Sequence, residues 1–182
     1  MADDLPTCTV FYANMQTALL DQIWIAASDN GICCLRFDED SASFISHLAK
    51  RVITGEAPSI IHSEAETKCY QDAILAYLEE KTPIPESLRV DFHQLTSFQQ
   101  QILEIVRRLP MGSTTTYGEI AEQIKNPNAS RAIGQVLRRN PIPVIIPCHR
   151  VISSNGTLGG YGGVIGSKRK ITLLKHEGVI LA

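Results

Sequence analysis

The strongest constraint on how this chain folds is the punctuation of its second half. From about residue 97 onward apolar residues recur at helical spacing, but breakers interrupt them: Pro110-Met111-Gly112, Asn126-Pro127 and Asn140-Pro141. Proline lacks a backbone donor and bars the residue before it from the helical region, so each break ends a helix. The spacing predicts helices over 98–109, 117–124 and 129–139, the first capped by Thr96 or Ser97. The last two are short and joined by the tight break Lys125-Asn126-Pro127-Asn128. The second of them carries Arg131, Arg138 and Arg139. That is a helix-turn-helix pattern.

The first half has a different period. Residues 7–12, 23–28 and 32–37 are β-rich, and Ser28-Asp29-Asn30-Gly31 between the last two is a hairpin signal. Residues 41–50 read as a helix through Phe44, Ile45 and Leu48. Residues 66–80 read as another, with Cys69, Ala73, Leu75, Ala76 and Leu78 as its apolar side. Val90-Asp91-Phe92 reads as a last strand before a boundary near residue 95. The expected fold is α/β (α+β). Residues 1–95 would form a scaffold domain, an antiparallel sheet with helices whose residues show no evident chemistry. Residues 96–182 would form a mostly helical domain, closed by an amphipathic helix over 168–176.

Charge divides at nearly the same place. Residues 1–97 carry 15 Asp/Glu against 6 Lys/Arg, whereas residues 98–182 carry 4 against 11. A cationic second half suits a polyanionic partner. The longest apolar runs fall far short of the roughly 20 residues of a membrane span. Met1-Ala2-Asp3-Asp4 opens acidic, so no secretory signal is expected. Five cysteines without regular spacing make no disulfide framework. A reducing cytoplasm is the expected setting. Cys8, Cys33, Cys34 and Cys69, with His47, His62 and His93, match no compact zinc spacing, and neither metal nor cofactor is assigned.

One cysteine stands apart. Ile142-Pro143-Val144-Ile145-Ile146 reads as a buried strand and runs directly into Pro147-Cys148-His149-Arg150. An imidazole, an arginine and a low-dielectric wall beside Cys148 are expected to raise its thiolate fraction. A Cys-His pair alone is a weak signal, since a free cysteine is usually a buried structural thiol. The surroundings strengthen it: a glycine-dense Gly159-Gly160-Tyr161-Gly162-Gly163 downstream, and Glu177 beyond.

These residues belong to a longer ordered string. It includes Thr96-Ser97-Phe98-Gln99, Pro110-Met111-Gly112, Thr116-Tyr117-Gly118, Ser130-Arg131-Ala132-Ile133-Gly134, Asn140-Pro141-Ile142-Pro143, Ile146-Pro147-Cys148-His149-Arg150-Val151-Ile152, Gly159-Gly160-Tyr161 and Leu173-Leu174-Lys175-His176-Glu177-Gly178. Over about residues 96–178 the chain resembles the O6-alkylguanine-DNA alkyltransferases, the self-methylating DNA repair proteins. The first half is similar only loosely.

The resemblance implies a ribonuclease-H-like fold for the first domain and direct reversal of O6-alkylguanine, and of O4-alkylthymine, by transfer to Cys148. It implies His149 as base through a bound water, Glu177 orienting His149, and Tyr161 donating to the purine. Leu137, Pro143, Val151 and Gly162 would line the base pocket. Arg131 would fill the space left by the flipped base, Tyr117 would press on the neighbouring phosphate, and Ala129 and Ser130 would let the helix approach the minor groove. Asn140 would tie the helix-turn-helix to the active-site segment. The implied partner is double-stranded DNA, bound by a monomer. The chain departs from the family in having Gly162 where a small side chain is usual. The link through Gly163-Val164-Ile165-Gly166-Ser167 is also about two residues longer. A roomier pocket that accepts larger alkyl groups is expected from both. A non-reacting lesion sensor, an inducible regulator and a cysteine hydrolase are the rival readings.

Overall fold

The computed structural model describes residues 9–52, 59–162, 164–165 and 167–180. Four strands form the main sheet: β1 (Thr9–Thr17), β2 (Asp21–Ser28), β3 (Gly31–Phe37) and β4 (Ser59–His62), in the order β3-β2-β1-β4. β1, β2 and β3 pair antiparallel, and β4 lies parallel to β1, so the sheet is mixed rather than antiparallel. Strand β4 was not foreseen. It is short and mostly exposed, and it shows little of the alternation that reveals a strand. Thr7 and Cys8, expected to open β1, lie outside the described residues.

The hairpin forms where expected, with Ser28 opposite Gly31. Gly31 has φ +139°, and a Cβ there would stand 2.5 Å from the carbonyl carbon of Arg89. The backbone of 89–91 runs beside it, with Ile32 donating to the Arg89 carbonyl and Asp91 donating to that of Ile32. Val90-Asp91-Phe92 therefore makes a single bridge to Ile32 instead of a strand. Side chains alternate across β2 and are buried on both faces. Trp24 and Ala26 pack with Val10, Phe44 and Leu48 beneath helix α1 (Ser41–Val52). Ile23, Ile25 and Ala27 face a larger core shared with helix α2 (Glu64–Glu80) and the second half of the chain.

Helix α2 buries Tyr70, Ile74, Tyr77 and Leu78, with Thr67 and Gln71. Of the apolar side expected from Cys69, Ala73, Leu75, Ala76 and Leu78, Leu78 is buried and Leu75 packs half-buried against the core, Ala73 and Ala76 are half-buried, and Cys69 is exposed. Two tyrosines, amphipathic by nature, fix the true face.

Three helices follow: α3 (Ser97–Arg107), α4 (Tyr117–Gln123) and α5 (Ser130–Arg138). Thr96 and Thr116 each close a capping box, with Gln99 and Glu119, at the starts of α3 and α4. A 3-10 turn, Pro127–Ala129, leads into α5, which packs on α4. Helix α6 (Lys168–His176) completes six α-helices among the described residues. Short strands β5 (Thr115–Thr116) and β6 (Val151–Ile152) pair in parallel, which brings the start of α4 beside the residues that follow Cys148. Strands β7 (Gly160–Tyr161) and β8 (Val164–Ile165) form a small hairpin. One continuous core contains Ile25 and Tyr77 from the first half together with Ile133, Ile146, Cys148 and Leu173 from the second.

Candidate active site

The segment before Cys148 is buried, as expected, but it is not a strand. Pro141 and Pro143 supply no backbone donors, so the run cannot join a ladder. Instead it folds back on itself: Ile146 N–H donates to the Ile142 carbonyl at 2.9 Å, and Pro143 and Ile146 make only an isolated bridge. Val144 at the tip has φ +76°, an unfavourable conformation for a β-branched residue. Asn140 holds this turn from within. Its Oδ1 accepts from Ile142 N–H at 3.1 Å, and its Nδ2 donates to the Ile146 carbonyl at 2.8 Å and to Cys148 Sγ at 3.2 Å. Cys148 then opens a 3-10 turn, Cys148–Arg150, which is buried throughout.

His149 is fully buried, and its Nε2 lies 2.8 Å from Glu177 Oε1. Glu177 ends α6, and its side chain has no solvent exposure. Arg150 Nε donates to both carboxylate oxygens at 3.1 and 3.0 Å, and its Nη2 donates to Oε1 at 2.7 Å. Gly112 N–H donates to Oε2 at 3.1 Å, and Tyr77 Oη donates to Oε1 at 2.6 Å. Burial alone would raise the Glu177 carboxyl, but the hydrogen bonds from His149, Arg150 and Tyr77 hold it well below the usual carboxylate range. An ionised carboxylate only accepts, which assigns the proton to His149 Nε2 and leaves Nδ1 as an acceptor. Burial pushes the imidazole below its usual value, against the opposing pull of Glu177.

The thiol departs from expectation. Burial raises the Cys148 pKa, opposed by the Asn140 amide and the Lys170 charge, so the resting group is a neutral thiol. A low-dielectric wall penalises the thiolate rather than favouring it. Lys170 on α6 is itself fully buried and donates to the carbonyls of Val151 and Leu158. Burial pulls it down to about 8.

Tyr161 is buried, its ring edge-on to His149 with centroids 6.3 Å apart. Burial pushes its phenol well above the usual value, so it remains a donor. Two buried polar atoms of the site, His149 Nδ1 and Tyr161 Oη, have no hydrogen-bond partner among the described residues. Both belong to a site whose other named buried polar groups are paired, so these two atoms are open to a ligand, a water or a reacting proton.

A cavity of about 540 Å³ opens over Cys148. Leu137, Asn140, Pro143, Tyr161 and Gly162 line it, together with Leu35, Arg36 and Phe37 of β3 and His47 of α1. Val151, expected in this lining, is instead fully buried, with its carbonyl bonded to Lys170. Gly162 has φ +57° and open space where a Cβ would stand; Gly163 and Gly166 lie outside the described residues.

Arg131 is exposed near the start of α5, Ser130 is half-buried and Ala132 is exposed, while Ala129 is buried. Tyr117 opens α4 half-buried. A Cβ on Gly159 would stand 3.1 Å from its hydroxyl, so the glycine permits Tyr117 to pack on the loop leading to Tyr161. Among the described residues no three His, Cys, Asp or Glu side chains stand close enough to share a metal ion; Cys8 lies outside them.

Sequence reasoning missed Tyr77 and Lys170, and it read Asn140 as a tie between the helix-turn-helix and the active-site segment without foreseeing its hydrogen bond to the thiol. Lys170 was legible in principle, since it precedes the buried Leu173 and Leu174 by three and four residues and so shares their face. No local signal places Tyr77 beside Glu177, a hundred residues away in sequence.

Residues 97–179 match the family model described as 6-O-methylguanine DNA methyltransferase, DNA binding domain. A methylated-DNA–protein-cysteine methyltransferase of Mycobacterium leprae is 52% identical over 82 residues, 45% of this chain and 48% of that protein. The bifunctional transcriptional activator/DNA repair enzyme Ada of Escherichia coli is 33% identical over 159 residues, 87% of this chain and 43% of that protein. The chain thus spans about half the length of the curated relatives it matches. The crystal structure of Mycobacterium tuberculosis OGT in complex with DNA superposes with a TM-score of 0.74 at 30% identity, covering 92% of each chain.

Proposed function

The chain belongs to the methylated-DNA–protein-cysteine methyltransferase family, and from that premise we propose that it repairs O6-alkylguanine, and O4-alkylthymine, in double-stranded DNA by moving the alkyl group to Cys148, once per molecule. The observation that carries this reading is a cavity lined by both Cys148 and Tyr161, whose buried Oη has no hydrogen-bond partner among the described residues, with the equally unpartnered Nδ1 of His149 on the next residue of the chain after Cys148.

The chemistry follows from the protonation states. Cys148 rests as a thiol and must lose its proton during attack. His149 Nδ1 takes it through one water, and Glu177 holds the imidazole in the required tautomer. Sγ bonds to the alkyl carbon as the carbon–O6 bond breaks, and the electron pair stays on guanine. Tyr161 donates to the purine as charge develops, and the thiol's proton finally resides on the released base, leaving neutral guanine. Lys170 and Asn140 favour the thiolate while it exists. The thioether has no route back, so the protein is consumed.

The lesion must leave the base stack to reach a buried sulfur. The M. tuberculosis relative was solved with DNA. On that likeness α4 and α5 act as a helix-turn-helix in the minor groove, with Arg131 filling the vacated space and Tyr117 against the phosphate. A monomer suffices for one lesion. Residues 1–95 serve as a ribonuclease-H-like scaffold and 96–182 as the reactive domain, working in the cytoplasm, where the thiol stays reduced.

Intact-protein mass after mixing with a duplex holding one O6-methylguanine tests this. A single methyl on Cys148, absent in Cys148→Ser, is expected. No mass gain with lesion binding intact would replace the reading by a non-reacting sensor.

A further inference from the structure

Tyr77 comes from the half of the chain expected to carry no chemistry. It lies on the buried face of α2 with no solvent exposure. Its carbonyl accepts from His176 Nε2 at 2.9 Å, and the two rings meet edge-on at 5.4 Å. Its hydroxyl donates to Glu177 Oε1 at 2.6 Å. Helix α2 is thus fastened to two consecutive residues at the end of α6.

We propose that Tyr77 is a positioning residue for alkyl transfer: by donating to the same Glu177 oxygen that accepts from His149, it limits the basicity of His149 Nδ1. This rests on the reading of Cys148 and His149 as the reacting pair. Oε1 accepts from Tyr77 Oη, His149 Nε2 and two nitrogens of Arg150. Each further donor draws charge from that oxygen and weakens its pull on the Nε2 proton. A weaker pull leaves less electron density on Nδ1. Removing Tyr77 Oη returns that density and makes His149 easier to protonate.

The other groups facing this pair are Arg150 and Cys148 in its own turn, Gly112 N–H from the loop after α3, Lys170 and His176 on α6, and Tyr161 on β7. Burial and the Glu177 charge push the Tyr77 phenol far up, so it donates at every pH at which the protein works. Its effect is therefore a constant offset, one that a titrating neighbour could not supply.

The test is the pH profile of single-turnover methyl transfer from an O6-methylguanine duplex. In Tyr77→Phe the midpoint of the acidic limb is expected to move up by roughly half a unit to one unit, the scale of removing one of several charge-assisted donors. With 3-fluorotyrosine at position 77, whose hydroxyl is a stronger donor of the same shape, the midpoint is expected to move down. A role confined to packing lowers rate or melting temperature and leaves both midpoints in place, which would overturn the proposal. If Tyr77→Phe does not fold, the fluorotyrosine protein decides alone: a downward shift supports the proposal and an unmoved midpoint overturns it. A wild-type protein that takes up no methyl overturns the functional reading and this one together. Normal uptake with unmoved midpoints sinks this one only.

Discussion

Replacing Glu177 by Gln keeps the shape of the site and removes its central charge. The carboxylate accepts from His149, Arg150, Tyr77 and Gly112 and has no contact with water. An amide offers one acceptor oxygen, so its NH2 must face donors on one side or the other, and Arg150 loses its counter-ion. Breaking a buried charge pair by removing one partner costs about 3–5 kcal/mol. For a chain of this size each kcal/mol lowers Tm by about 2–4 °C, so a fall of roughly 6–20 °C is expected. The comparison also has a pH signature. Glu177 is held below its unfolded value, so its contribution is complete above the unfolded carboxylate pKa of about 4.3 and is lost as pH falls from there toward the folded value. Calorimetric melts of the two proteins at several pH values give both quantities. The gap in Tm should be widest near neutrality and narrow under acid. A gap below about 2 °C at neutral pH, or one that does not change down to strong acid, would refute the argument that Glu177 is a buried, multiply paired carboxylate.

Gly31→Ala should destabilise the fold by more than about 2 kcal/mol in a urea melt, because the new methyl would meet backbone atoms of Arg89 and Val90 that cannot swing aside. Asn140→Ala removes the amide that donates to Cys148 Sγ and restrains the turn before it. The thiol pKa should rise further, seen as slower alkylation by iodoacetamide at fixed pH, with a loss of roughly 1–3 kcal/mol in stability.

Much of the second half could be read directly, because prolines and caps act locally. Thr96, Pro110, Thr116, Pro127 and Asn140 fix where helices begin and end whatever surrounds them. The predicted span of α6 coincides with Lys168–His176 because its apolar residues recur at helical spacing. Cys148, His149, Tyr161 and Glu177 could be named from a motif string, and the structure places His149 on Glu177 and Tyr161 beside His149. Local patterns failed where long-range contacts set the outcome. The buried run before Cys148 looked like a strand because apolar residues dominate it, but two prolines and the Asn140 side chain turn it back on itself. The partner of Val90 is one residue of a distant hairpin, and β4 is a strand only because β1 lies beside it.

The sequence by itself determined the helix limits, the β-hairpin, the charge division and the residues that could react, since each depends on neighbours within a turn or on residue type. Tertiary structure alone decided their protonation states and the company they keep. Burial makes Cys148 a thiol, and six donor contacts from four residues keep Glu177 ionised well below the usual carboxylate range. Those contacts bring together residues 77, 112, 149 and 150, whose spacing in the chain carries no trace of the distances between them, because desolvation and hydrogen bonding are set by proximity in space.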